Sequence, residues 1–302
     1  MEAKTKIDEF NIPVPWGHIA VKAWGDSNDP HVLVVHGRLD NAGGFDNLMH
    51  LLPNCFYYVC MDLPGHGKSS HFPAHLPLQT LDQVIAYKLA IAHFDKKFII
   101  LGHSYGAQLA LLFTRLYPNL VEKIILLDAF HLYTKEVKDL KKYLIKKLES
   151  FLDIDAKLAT RQPPTYTYEE ARERISGNRY QGETLLTKAA DPLLARMLKS
   201  ADNGKYTFTF DQRMKSYINP LHDRRFAKES LLEDPVTCPV LLILAKQNQK
   251  PIRKYADILD MIRKWKNVTV RFVEGGHDVH NNYPERVAPH ITEFLLKQEA
   301  KL

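Results

Sequence analysis

Gly102-His103-Ser104-Tyr105-Gly106 stands between the apolar run Phe98-Ile99-Ile100-Leu101 and a stretch with helical spacing marked by Leu109, Leu112, Phe113 and Leu116. A serine held in G-x-S-x-G between a strand and a helix sits in a sharp, strained turn. Both glycines are needed there because neighbouring backbone comes too close for a Cβ. The hydroxyl then lies at a helix N-terminus, where amide dipoles favour developing negative charge. Ser104 is therefore the candidate nucleophile.

The flanking sequence repeats the same alternation. His18 to Trp24 reads as a strand with alternating sides, and Val32-Leu33-Val34-Val35, Phe56 to Met61 and Lys123 to Leu127 are further runs. Short unbroken apolar runs fit strands buried on both faces, as in parallel sheets. Helical spacing over 77–94 and 105–117 separates them, so the fold class is α/β with a doubly wound sheet. From about 131 to 234 the strand pattern vanishes. Val137, Leu140, Leu144, Leu148 and Phe151 step by three or four and predict an amphipathic helix. Lys141, Lys142, Lys146 and Lys147 lie mostly off that stripe and read as a solvated face. Strands resume at Val240-Leu241-Leu242-Ile243-Leu244 and Val268 to Val273, and a last helix follows Pro284. The expected organisation is a core of 1–130 and 235–302, interrupted by a helical insertion over 131–234.

Composition excludes several classes. The chain has 302 residues, with 41 basic and 35 acidic side chains for a net +6, and 45% hydrophobic residues. At about 150 residues per domain, this is two units or one large α/β domain with an insertion. The proportions are those of a globular protein rather than a disordered or fibrous one. No apolar run approaches the ~18 residues of a membrane span. The first residues lack the apolar core of a secretory signal, which leaves the sequon Asn267-Val268-Thr269 idle. Cys55, Cys60 and Cys238 form no CxxC pair, so neither a disulfide scaffold nor a zinc knuckle is expected. Basic residues are scattered, without the stripe of a nucleic-acid binder.

A serine hydroxyl needs a base. His277 follows the strand 268–273 and the loop Glu274-Gly275-Gly276, where a base can reach Ser104. The imidazole in turn needs a carboxylate to orient it. The loop after strand 240–244, Ala245-Lys246-Gln247-Asn248-Gln249-Lys250-Pro251, carries none, whereas strand 123–127 ends at Asp128. The order Ser104, Asp128, His277 suits this arrangement, with Asp223 and Asp234 as rivals for the acid. Asp278 points away from its neighbour His277 and is structural. Two backbone amides are needed for an oxyanion. Tyr105, after the nucleophile, supplies one, and Arg38, in the loop after strand 32–35, supplies the other. His36, Leu39, His103 and Phe130 border these loops, and Phe208 and Phe210 of the insertion complete the expected pocket. Asp62-Leu63-Pro64-Gly65-His66-Gly67-Lys68-Ser69 lacks phosphate-loop spacing and reads as a structural turn. No metal or cofactor is required.

Taken together, the H-G loop at 36–37, D-x-P-G-H-G-x-S at 62–69, G-H-S-Y-G at 102–106 and G-G-H-D at 275–278 resemble the α/β-hydrolase fold over essentially the whole chain. Trp16-Gly17-His18-Ile19-Ala20, the segment His36 to Ala42, and Tyr57-Tyr58-Val59-Cys60-Met61-Asp62 look closer still to the kraken-like, or serine hydrolase-like, proteins of animals. The resemblance implies an eight-stranded, mostly parallel sheet, with the insertion as a lid. It also implies a serine hydrolase of carboxylic esters or thioesters, with peroxisomal association.

Three positions depart from the pattern. Arg38 replaces an aromatic, Tyr105 replaces Phe or another large residue, and Asn248 stands where most members carry the acid. Haloalkane dehalogenase-like members instead place an acid at the position of Asp128. Dehalogenases and epoxide hydrolases use an aspartate nucleophile, so Ser104 excludes their chemistry. Ala300-Lys301-Leu302 is a variant of the S-K-L peroxisomal address, which points to the peroxisomal import receptor as a partner and otherwise to the cytoplasm. Neither nucleic acid nor stable membrane insertion is expected. Two alternatives share these residues: a small-molecule binding protein with a vestigial site, and a C–C hydrolase or acyltransferase.

Overall fold

Each run read above as a strand is a strand in the computed structural model, which describes residues 6–132, 134–177, 179–217 and 223–297. The main sheet contains β1 (Ile7–Val14), β2 (Gly17–Trp24), β3 (His31–Val35), β4 (Tyr57–Met61), β5 (Phe98–His103), β6 (Val121–Leu127), β9 (Val240–Ala245) and β10 (Val268–Val273), while β7 and β8 lie in the insertion. Its order is β1-β2-β4-β3-β5-β6-β9-β10. β2 pairs antiparallel with both β1 and β4, and all other neighbours are parallel.

Alternate residues of the central strands feed two cores. Leu33, Val35, Ile100, Ile124 and Leu126 face the helices Thr80–Phe94 and Tyr105–Leu116. Val32, Val34, Leu101, Ile125 and Leu127 face Phe45, Leu48 and the helix Ala288–Leu296. Burial on both faces is why these strands read as continuous apolar runs.

Two elements depart from the sequence reading. β1 was missed because it is an edge strand whose outward residues are polar or exposed, with Pro13 tolerated at the edge. The insertion is also not purely helical. Leu198–Ser200 (β7) and Tyr206–Phe208 (β8) form a hairpin, with Asn203 and Gly204 at positive φ between them. Three-residue strands are too short to show periodicity.

The insertion's helices are Leu140–Thr160, Tyr168–Gly177, Thr187–Met197 and Arg224–Glu233. Val137, expected to start the first, lies in a preceding 3-10 turn and is 70% exposed. Lys141, Lys142 and Lys146 are solvated as expected, but Lys147 is half-buried. The insertion has its own apolar cluster of Ala171, Leu185, Ala189, Leu193, Leu194 and Met197. Buried polar contacts dock it onto the core. Asn41 Nδ2 donates to the Leu193 carbonyl at 2.9 Å, and Arg196 Nη2 donates to Asp62 Oδ2 at 2.8 Å. Asp62 also accepts from the amides of Ala42 and Lys68, which makes the 62–69 loop the structural turn expected.

Among the described residues, no helix is long and apolar enough to cross a membrane. Ala300-Lys301-Leu302 lies outside the described residues.

Candidate active site

Ser104 follows β5 with φ 51° and ψ −112°, and the helix Tyr105–Leu116 starts at the next residue. Positive φ at a residue with a side chain costs on the order of 1–3 kcal/mol and persists only where the surroundings enforce it. Here they do. A Cβ on Gly102 would lie 2.6 Å from the Ala107 nitrogen, and one on Gly106 would lie 2.3 Å from the Val35 carbonyl oxygen. The strand-turn-helix junction can close only with glycine at both places.

Three side chains from three strand ends meet at this turn. His277, beyond β10, places Nε2 2.7 Å from Ser104 Oγ. Its Nδ1 donates to Asp128 Oδ2 at 2.6 Å. Asp128 directly follows β6, is 6% exposed and has φ 54°. Its amide donates to the Ile243 carbonyl at 2.8 Å, and Oδ1 accepts from the Ala245 amide at 2.9 Å, so β9 grips it from both sides. Asn248 Nδ2 donates to Asp128 Oδ2 at 2.5 Å and lies 3.4 Å from His277 Nδ1.

Burial opposes the charged form of His277. The hydrogen bond and charge of Asp128, with the charges of Asp278 and Glu183, outweigh that cost, so His277 titrates above its ordinary value. The rival carboxylates lie elsewhere. Asp223 caps the helix Arg224–Glu233, and Asp234 sits 3.5 Å from Arg115.

Behind these three side chains lie further buried polar residues. Asp278 is turned from His277 onto Arg179 of the insertion, whose Nη2 lies 2.5 Å from it, while Nη1 reaches Asp40 at 2.7 Å. This guanidinium holds Asp278 far below the usual carboxylate range, against the burial that would raise it. Asp40, His103 and Asp278 bring potential metal-ligand atoms within 4.8 Å, but Arg179 occupies both carboxylates. Glu183, also of the insertion, accepts from the backbone amides of His277 and Asp278. Sequence reasoning missed Arg179 and Glu183.

The remaining candidates fall into separate places. Phe130, Arg38 and Tyr105 line a cavity of about 350 Å³ over Ser104 and His277. A Cβ on Gly37 would lie 3.3 Å from Ser104 Cβ, so the loop carrying Arg38 abuts Ser104. His36 and His103 do not line that cavity; they are buried behind it. His36 Nδ1 donates to the Gly37 carbonyl at 2.7 Å, and Nε2 accepts from the Leu63 amide at 2.9 Å, fixing the 36–39 loop. His103 Nε2 donates to the His277 carbonyl at 2.9 Å. Burial and the nearby His277 push His103 down to about 3, so it stays neutral. Leu39, Phe208 and Phe210 line a different cavity, of about 740 Å³ between the insertion and Leu39 of the core, and Phe208 packs against the insertion's own apolar cluster.

A family model described as alpha/beta hydrolase fold matches residues 30–281. A serine hydrolase-like protein of Danio rerio is 37% identical, covering 96% of this chain and 89% of its own length. Serine hydrolase-like protein 2 of Homo sapiens is 34% identical, covering 96% and 94%. A solved structure of a hypothetical protein from Pseudomonas aeruginosa PAO1 is 26% identical, covers 96% of this chain and 100% of that one, and superposes with a TM-score of 0.83.

Proposed function

Because the chain belongs to the α/β-hydrolase fold family, among the serine hydrolase-like proteins, we propose that it is a hydrolase that cleaves carboxylic esters or thioesters through an acyl-enzyme on Ser104. The observation that carries this is the His277 ring, spanning Ser104 at 2.7 Å and Asp128 at 2.6 Å.

In this reading His277 Nε2 takes the Ser104 proton as Oγ attacks the carbonyl carbon. Asp128 holds the other ring nitrogen and stabilises the imidazolium that forms. The backbone amides of Arg38 and Tyr105 receive the oxyanion, the second at a helix N-terminus. His277 then gives its proton to the leaving oxygen or sulfur. A water, deprotonated by the same ring, attacks the acyl carbon and frees Ser104. General base and oxyanion contributions are each on the order of 10²–10³ or more in rate.

Turnover of p-nitrophenyl esters from acetate to decanoate tests the reading, together with labelling by a fluorophosphonate. Wild type should turn over and label at Ser104. Ser104→Ala should lose on the order of 10⁵–10⁶ in kcat and fail to label. A wild type inert to every ester and to the probe overturns the reading and favours a binding protein.

A further inference from the structure

The chain neutralises the cations it buries for structure. Arg179 pairs with Asp40 and Asp278, Arg196 with Asp62, and Arg213 with Asp211. The cavity over Ser104 is different. Arg38, Lys135, Lys147, Lys250 and Lys254 line it, and Asp128 is the one carboxylate among its lining residues. Asp128 is spent on His277, Asn248 and the Ala245 amide.

Among the described residues, none of the five cations belongs to an ion pair. Lys135 and Lys254 rest over the rings of Tyr143 and Tyr255, at 4.6 and 5.0 Å. Lys147 Nζ donates to the Lys215 carbonyl at 3.3 Å. Burial lowers the Lys147 pKa, and the charges of Arg38, Lys135 and Lys146 lower it further. Glu136 and Asp139 line an adjoining recess that shares Lys135 and Lys254 with the cavity, but neither carboxylate lines the cavity itself. Lys135 and Lys147 are half-buried and Arg38, Lys250 and Lys254 exposed; like charges gathered around a concave surface raise its potential, and an anion entering it relieves their repulsion.

We propose that this cavity is built for a substrate carrying an anionic group, a carboxylate or phosphate, besides its ester or thioester carbonyl, with Lys135 and Lys147 among the residues that select it. The inference rests on the hydrolase reading for its chemistry but not for its charge.

Two matched pairs test it. Mono-p-nitrophenyl glutarate against p-nitrophenyl butyrate places the anion on the acyl side with one leaving group. Butyryl-CoA against S-butyryl-N-acetylcysteamine places phosphates on the leaving group with one acyl chain. In at least one pair, kcat/KM should favour the anionic member by roughly tenfold, and added salt should erode the advantage. The double variant Lys135→Gln/Lys147→Gln should lower that anionic-to-neutral ratio by roughly tenfold. The glutarate pair alone would assign a carboxylate on the acyl side, and the CoA pair alone a phosphate-bearing leaving group. Ratios near or below one in both pairs, with neutral esters turned over, overturn the proposal and leave the hydrolase reading intact. Calorimetric binding to Ser104→Ala reads the cavity without chemistry. If wild type is inert but Ser104→Ala binds butyryl-CoA more tightly than S-butyryl-N-acetylcysteamine, the cationic cavity stands and the hydrolase reading falls. Equal binding in that background overturns the cavity too.

Discussion

β6 and β9 are neighbours in the sheet and end side by side beneath His277, yet they end in different chemistry. β6 ends in Asp128, and the β9 loop carries Asn248; both are buried, at 6% and 3% exposed. Both reach toward the same ring nitrogen, at 2.6 and 3.4 Å. The difference shows why Asn248 is an amide. Its Nδ2 donates to the Asp128 carboxylate while its Oδ1 accepts from Gln181 Nε2 of the insertion. A second carboxylate in that place could not ionise beside the first. In the proposed mechanism β6 supplies the acid, and the β9 loop supplies a donor that supports it.

The largest effect should come from removing the charge on β6. Asp128→Asn keeps the shape but takes away the group that orients and balances the imidazolium, so kcat/KM should fall on the order of 10⁴-fold. The pH profile should report the same loss. In the proposed mechanism His277 acts as a base when neutral, and Asp128 is the main influence holding its titration above the ordinary value against burial. In wild type the acid limb of kcat/KM should therefore lie above the usual imidazole range. Asp128→Asn removes the two largest contributions that oppose burial and leaves only the charges of Asp278 and Glu183 against it, so the limb should move down. A small loss with an unmoved limb would mean that Asp128 is not the acid.

Exchanging the two ends is the next test. Asp128→Asn/Asn248→Asp restores one carboxylate near Nδ1, at the place where the fold commonly carries it. About tenfold to hundredfold of the lost rate should return over Asp128→Asn alone, since position 248 already lies 3.4 Å from the ring. No recovery would mean that the Ala245 amide and the φ 54° turn at β6 are indispensable to orienting the acid.

The legibility of the site divides along the same lines. Ser104 and Asp128 each follow a strand buried on both faces, so an apolar run ending in a polar residue marked them, whereas His277 was marked by the Gly275-Gly276 loop after β10, a partly exposed edge strand. The structure brings all three together. Arg179 and Glu183 escaped because nothing local marks them: they lie in an irregular polar stretch of the insertion and meet their partners 94 to 139 residues away. Phe208 and Phe210 misled because an aromatic run says nothing about which way a three-residue strand faces. Lys147 was read as solvated because periodicity shows what lies off an apolar stripe, not which neighbouring cavity it enters.

The smallest effect should come from the support itself. Asn248→Ala removes one donor from Asp128 but leaves the Ala245 amide and the charge in place. A hydrogen bond to a charged group contributes about 1.5–3 kcal/mol, and part of that is recovered if water enters, so kcat should fall roughly tenfold with KM little changed. The direction of the pH shift separates this role from a catalytic one. A carboxylate with one donor fewer is a stronger acceptor for the His277 N–H and holds the imidazolium more firmly. The acid limb should then rise in Asn248→Ala, opposite to its fall in Asp128→Asn. Shifts in the same direction would mean that Asn248 acts on His277 directly, across the 3.4 Å between them, and not through Asp128.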